Sequence, residues 1–228
     1  MRERLPVGDV LDRLEALHGK QKPNWPVEPY EFLVWWHSGY PQSDAACAKG
    51  WDALSKQVGI EPDKLLAAPR EQMDIALKSG GMVPELRSMR LKEIAARVQD
   101  EFGGDLRAAL AKSPQKARGI LKKFPGIADP GADRILLFGG ILPLAAVPSN
   151  SPQVLVRILR GKERENYGVN YREAQQAIKA AVPEEFAPRR RAYLLLKLHG
   201  QEICKRTSPQ CTRCPLSANC AFFGKGAS

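Results

Sequence analysis

Lys122-Lys123-Phe124-Pro125-Gly126-Ile127-Ala128-Asp129-Pro130-Gly131-Ala132-Asp133-Arg134-Ile135-Leu136 is the stretch on which the architecture turns. Apolar residues at helical spacing flank Pro125-Gly126, so the segment reads as a helix, a tight turn and a second helix. Pro125-Gly126 stops the first helix, Asp129 suits the N-cap, and Pro130 suits the first helical position, where a missing N–H costs nothing. Such a hairpin aims backbone N–H groups from the turn and the next helix start at one spot, and a phosphate is the natural occupant. The candidate gripping residues are Lys122, Lys123, Pro125, Gly126, Ile127, Ala128 and Gly131. Taken alone, the same pattern also describes an ordinary corner between two helices.

Outward from the hairpin, helical spacing continues almost throughout. It recurs at Val10, Leu11, Leu14 and Leu17, at Phe32, Leu33, Trp35 and Trp36, and at Leu91, Ile94, Ala95 and Val98. Further helical stretches are expected at 45–58, 69–78, 105–112, 115–124, 130–138, 152–159, 171–182 and 189–199. Breaks fall at Pro62, Gly80-Gly81, Gly103-Gly104, Gly139-Gly140 and Pro183, and alternating strand patterns are nearly absent. The chain therefore predicts an all-α fold, with residues 20–29, which hold three prolines, as a linker.

Composition narrows the class of function. At 228 residues, 43% hydrophobic and 26% charged, the chain can bury a substantial core and is neither disordered nor collagen-like. No apolar run approaches the roughly 18 residues of a spanning helix, and residues 1–9 lack a signal-peptide core, so a soluble cytoplasmic protein is expected. The formal charge of +10 and pI near 9.5 point to an anionic partner, nucleic acid first. The excess lies in two segments: residues 112–134 carry six basic residues against two acids, and residues 186–228 carry eight against one. His18, His37 and His199 are scattered without a ligand pattern and read as structural, as does Cys47 among small apolar neighbours.

The other four of the five cysteines, Cys204, Cys211, Cys214 and Cys220, fall within the last 25 residues, spaced C-x6-C-x2-C-x5-C. A disulfide framework does not suit a chain without a secretion signal. Structural zinc usually employs two CxxC knuckles, and here Cys211 and Cys214 form the single one. Wider, unequal spacings favour an iron–sulfur cubane, in which each cysteine reaches a different iron, over zinc.

Joined to these cysteines, the hairpin gains specificity. Residues 121–136, Leu198-His199-Gly200 and the cysteine loop together resemble the endonuclease III branch of the helix-hairpin-helix DNA glycosylases, and the likeness extends upstream through Tyr30-Glu31-Phe32-Leu33 and Ser38-Gly39-Tyr40-Pro41-Gln42-Ser43-Asp44. The resemblance implies two domains: a six-helix barrel over 30–138, and a discontinuous helical domain of 1–29 and 139–228 with a [4Fe–4S] cluster in the loop 204–220. It implies base excision repair, with a monomer gripping double-stranded DNA between the domains and a wedge from the turn that here holds Gln42 or, next, Tyr40. In a bacterium the protein would be associated with the nucleoid.

Two catalytic positions of that family depart. The lysine that forms a Schiff base and nicks the strand falls on Pro130, and the aspartate eighteen residues beyond falls on Pro148. Proline has no nucleophilic or ionisable side chain, so strand cleavage is not expected. Ala128 also replaces a family glycine and is expected to strain the turn. Three readings follow: a DNA-binding protein of the glycosylase type that recognises a damaged or non-standard base without turnover; an active glycosylase with a rearranged carboxylate, for which Asp129 and Asp133 are nearest; and a structural or redox-responsive iron–sulfur partner subunit.

Overall fold

The computed structural model describes residues 5–225, and among them every regular element is helical. The helices are α1 (Val7–His18), α2 (Pro29–His37), α3 (Asp44–Gln57), α4 (Pro62–Ala67), α5 (Arg70–Leu77), α6 (Pro84–Phe102), α7 (Leu106–Lys112), α8 (Pro114–Leu121), α9 (Asp129–Phe138), α10 (Gln153–Arg160), α11 (Tyr167–Ala181) and α12 (Phe186–Glu202). Short 3-10 turns follow α5 at Lys78–Gly80 and punctuate the cysteine loop at Cys211–Arg213, Ser217–Asn219 and Phe223–Lys225. Residues Gly226, Ala227 and Ser228, the end of the basic C-terminal segment, lie outside the described residues, as do Met1 to Arg4.

Local chemistry sets the boundaries. Asp105 and Asn166 cap α7 and α11 by accepting from Ala108 N at 2.8 Å and Val169 N at 3.2 Å. Pro62, which sequence spacing marks as a break, is instead the first residue of the six-residue α4, where its fixed φ suits a helix start.

The chain separates into two units, Pro23–Ile141 and the described residues of Met1–Lys22 with Leu142–Ser228. The first boundary falls within the proline-rich segment 20–29, between Lys22 and Pro23, and Trp25 belongs to the Pro23–Ile141 unit, packed edge-on against Phe138 at 5.3 Å and beneath the Arg134 guanidinium at 3.9 Å. The Pro23–Ile141 unit holds α2 to α9, with α6 packed against α4, α5 and α2. Leu33, Trp35, Leu54, Met73, Leu77, Leu91, Ile94 and Leu110 fill its interior. In the other unit α1, α10, α11 and α12 bury Val10, Leu14, Leu155, Ile178 and Leu195. No helix among the described residues is long and apolar enough to cross a membrane.

Candidate nucleic-acid interface and cysteine-lined cavity

The segment between α8 and α9 forms the expected hairpin, held from beneath by two other helices. Gly126 sits at φ +67°, a conformation glycine adopts freely, and a Cβ there would lie 3.3 Å from His37 Cε1. His37, the last residue of α2, is 1% exposed, and its Nε2 lies 2.8 Å from the Pro125 carbonyl. A carbonyl only accepts, so Nε2 carries the proton. Burial lowers the His37 pKa to about 4, and the ring is neutral near pH 7. From α6, Arg97 donates to the Lys123 carbonyl and its guanidinium lies 5.6 Å from the Phe124 ring centroid.

The remaining expected gripping residues divide. Lys122, Lys123, Gly126 and Ala128 are exposed, and Pro125 and Gly131 are half-buried. Ile127 faces the interior at 6% exposure, and its N–H donates within the turn to the Phe124 carbonyl at 3.3 Å. The cap of α9 is Ala128, not Asp129, which is the first residue of the helix and precedes Pro130. Ala128 lies in extended backbone at φ −103°, so replacing a glycine there introduces no strain. Asp129 instead places Oδ1 2.7 Å from Lys122 Nζ and 3.8 Å from Arg118 Nε, and the hydrogen bond from Lys122 holds its pKa below the usual carboxylate range. Asp133, 1% exposed, accepts a two-pronged contact from Arg118, with Nε at 2.8 Å and Nη2 at 2.9 Å. Asp129 and Asp133, on either side of Pro130, are thus both engaged by cations. Arg134 carries no charge to the surface: it is 5% exposed, over Trp25 and Phe32.

In the turn after α2, the Ser38 carbonyl is wedged so closely among neighbours that a Cβ on Gly50 would lie 2.0 Å from it. Tyr40 is 37% exposed, with its ring stacked on Trp36 at 4.2 Å; Gln42 is exposed and lies against the backbone of Gly81.

In the other unit, Pro148 is buried, while Ser149 and Asn150 are exposed, and the Tyr167 hydroxyl donates to the Ser149 carbonyl at 2.8 Å. Ser151 has the side chain of a helix cap but does not act as one, since α10 starts after Pro152, which lies in helical backbone. Ser151 packs against Gly200 instead, where a Cβ would come within 2.3 Å of its Oγ; this close approach accounts for the glycine of Leu198-His199-Gly200.

Cys204, Cys211, Cys214 and Cys220 are free thiols lining a single cavity, shared with Arg157 and His199. Burial and the neighbouring thiols raise the pKa of Cys204, Cys211 and Cys214, that of Cys214 to about 11. Among the described residues no three His, Cys, Asp or Glu side chains stand close enough to hold a single metal ion. Arg157, 5% exposed, donates to the carbonyls of Lys205 at 2.7 Å and Arg206 at 3.0 Å, and pairs with Glu163 at 2.7 Å. Its own carbonyl accepts from Phe222 N at 3.1 Å, so one residue braces both ends of the loop. His199 Nε2 lies 3.5 Å from Cys214 Sγ and its Nδ1 3.2 Å from His18 Nε2, so these two histidines are not scattered; they are 181 positions apart, a separation no local pattern reveals. Burial lowers the His199 pKa to about 4. The C-terminal charge is partly spent inward: Arg189 donates to the Val182 and Pro183 carbonyls at 3.1 and 2.9 Å, and Arg191 pairs with Asp12 at 2.8 Å and Glu15 at 2.9 Å. Lys205, Arg206 and Arg213 remain exposed.

Comparison with known proteins gives a consistent set. The chain superimposes on endonuclease III in a non-covalent complex with DNA at a TM-score of 0.77, with 20% identity, covering 99% of this chain and 98% of the other. A thermostable thymine-DNA glycosylase matches at a TM-score of 0.75, with 19% identity over 96% of this chain and 97% of the other. In sequence, a thymine/uracil-DNA glycosylase of Pyrobaculum aerophilum is 24% identical over 165 residues, covering 72% of this chain and 68% of the relative. No family model matches the chain.

Proposed function

We infer the function of this chain from its fold, which is that of the helix-hairpin-helix DNA glycosylases, and propose that it binds double-stranded DNA and recognises a damaged or non-standard base, as a base-excision-repair protein that does not cut the strand. One observation carries the reading: the hairpin turn is fixed from beneath at Lys123 and Pro125, while Lys122, Lys123, Gly126 and Ala128 face outward as phosphate-binding groups. Prolines at 130 and 148 support the second half, because neither position supplies the amine of a Schiff base or a carboxylate for the cationic sugar. A rearranged glycosylase would draw its carboxylate from Asp129 or Asp133, and both are already paired with Lys122 and Arg118. The partner-subunit reading leaves the hairpin without a task.

Cys204, Cys211, Cys214 and Cys220 would hold a [4Fe–4S] cluster, a reading supported by four soft donors lining one cavity in a loop with wide, unequal spacing. The cluster would supply folding free energy to a loop with little apolar material of its own. Around it, Arg157 fixes the loop ends and His199 orients toward Cys214.

The test is incubation with duplexes carrying a panel of altered bases and an abasic site, with borohydride present. Retention of the duplex without base release and without a borohydride-stable adduct is expected. Base release would establish the rearranged glycosylase, a trapped adduct would show that a lysine such as Lys122 does the chemistry, and failure to retain any duplex would overturn the reading.

A further inference from the structure

His37 joins two surfaces that the proposed function uses separately. It ends α2, so the next residues are the turn 38–43, and its ring is buried against the opposite partner, with Nε2 2.8 Å from the Pro125 carbonyl and Cε1 facing Gly126. The turn is anchored at its first residue: Ser38 Oγ donates to the Val34 carbonyl at 2.8 Å, the Ser38 carbonyl accepts from Arg87 at 3.5 Å, and Gly50 and Gly80 press on that carbonyl. Ser38 therefore cannot shift without moving the end of α2. On the hairpin side, Pro125 precedes the left-handed Gly126, and the hydrogen bond to its carbonyl is shielded from water by a ring 1% exposed. In such surroundings a hydrogen bond has no solvent competitor, and its loss leaves a buried acceptor unsatisfied.

We propose that His37 is a positioning residue that holds the turn 38–43 and the phosphate-gripping hairpin in one register, so that engagement of a phosphate at the hairpin presents Gln42 to the base stack. The inference rests on the DNA-binding reading above. His37 touches neither the phosphate nor the base, and acts through Pro125 and Ser38. Nothing in its sequence surroundings marks this role, because its partner lies 88 positions away.

The experiment is a double-mutant cycle on duplex affinity, with Lys123→Glu for the hairpin and Gln42→Ala for the turn, run in the parent chain and again with His37→Phe. In the parent chain the two changes should be non-additive, by roughly threefold or more. With His37→Phe the coupling should vanish and the affinity itself should fall about tenfold, since the competent arrangement is less populated. His37→Gln, whose amide can still donate toward Pro125, should restore most of both. His37→Asn, too short to reach, should behave as His37→Phe and serves if the aromatic change does not fold. The rise in 2-aminopurine fluorescence on binding, as the probe base loses its stacking neighbours, gives a second readout and should follow the same order. A parent chain that binds no duplex overturns the functional reading and this inference with it. A chain that binds, with the same coupling whatever stands at 37, overturns the inference alone.

Discussion

Replacing Gly126 by alanine should destabilise the Pro23–Ile141 unit, and the size follows from two local quantities. At φ +67° an L-residue costs about 1–2 kcal/mol relative to glycine. The new Cβ would stand 3.3 Å from His37 Cε1, and the ring can retreat only by lengthening its 2.8 Å bond to Pro125. Weakening that bond adds about 1 kcal/mol, and the stiffer unfolded chain returns about 0.5 kcal/mol. The net loss is about 2 kcal/mol, which lowers a urea midpoint by about 1 M for a slope near 2 kcal/mol/M. Tryptophan fluorescence is the suitable probe, because all four tryptophans, Trp25, Trp35, Trp36 and Trp51, lie within Pro23–Ile141. Gly119→Ala is the internal control: Gly119 lies in α8 with nothing within 4 Å of its Cβ position, so alanine there should raise the midpoint by its helix propensity. If Gly126→Ala leaves the midpoint unchanged, or shifts it upward with Gly119→Ala, the account of the turn is refuted.

His37 is the one histidine in that unit, and with its pKa lowered from 6.5 to about 4 the unfolded chain binds its proton first on acidification. Stability read by tryptophan should therefore be complete above pH 6.5 and fall as the pH drops toward 4, losing about 2 kcal/mol by pH 5; His37→Gln should flatten that segment of the urea-midpoint profile, and an unaltered profile would exclude His37 as its source. Arg118→Ala should cost about 3 kcal/mol by leaving the Asp133 carboxylate buried without its guanidinium, and Asp133→Asn should cost less because the half-exposed Arg118 can turn to water; equal losses in urea unfolding would contradict this asymmetry. Cys211→Ser should abolish retention of iron and sulfide in anaerobically purified protein, where the parent chain is expected to be brown with the two in near-equal amounts; stoichiometric zinc without sulfide would refute the cluster.

What could be read from the chain is what local spacing encodes. Helical periodicity placed most elements, Pro125-Gly126 marked the turn, and four cysteines in one short segment marked the loop that lines the cavity. Contacts formed over long separations left no such trace. His37 meets Pro125, and His18 meets His199, through packing that no window of residues contains. Charge counting misled for the same reason: Arg134 and Arg189 count as surface cations in the sequence, yet one lies on aromatic rings and the other on the Val182 and Pro183 carbonyls just past the end of α11. Asp129 has the side chain of a cap, but Lys122 and Arg118 compete for its carboxylate and win. Pro62 shows a further ambiguity, since the same ring that interrupts a helix also starts one.

The most direct test of the central claim is the salt dependence of duplex binding, measured by fluorescence anisotropy with the intact protein and a labelled duplex. The account expects log affinity to fall linearly with log salt at about −0.9 per phosphate contact, and Lys123→Glu to lower affinity for every sequence alike and to make that slope shallower by about one contact. Lys122→Glu should add a like charge beside Asp129 and weaken binding further. Affinity that is absent at low salt, or that neither lysine alters, would contradict it.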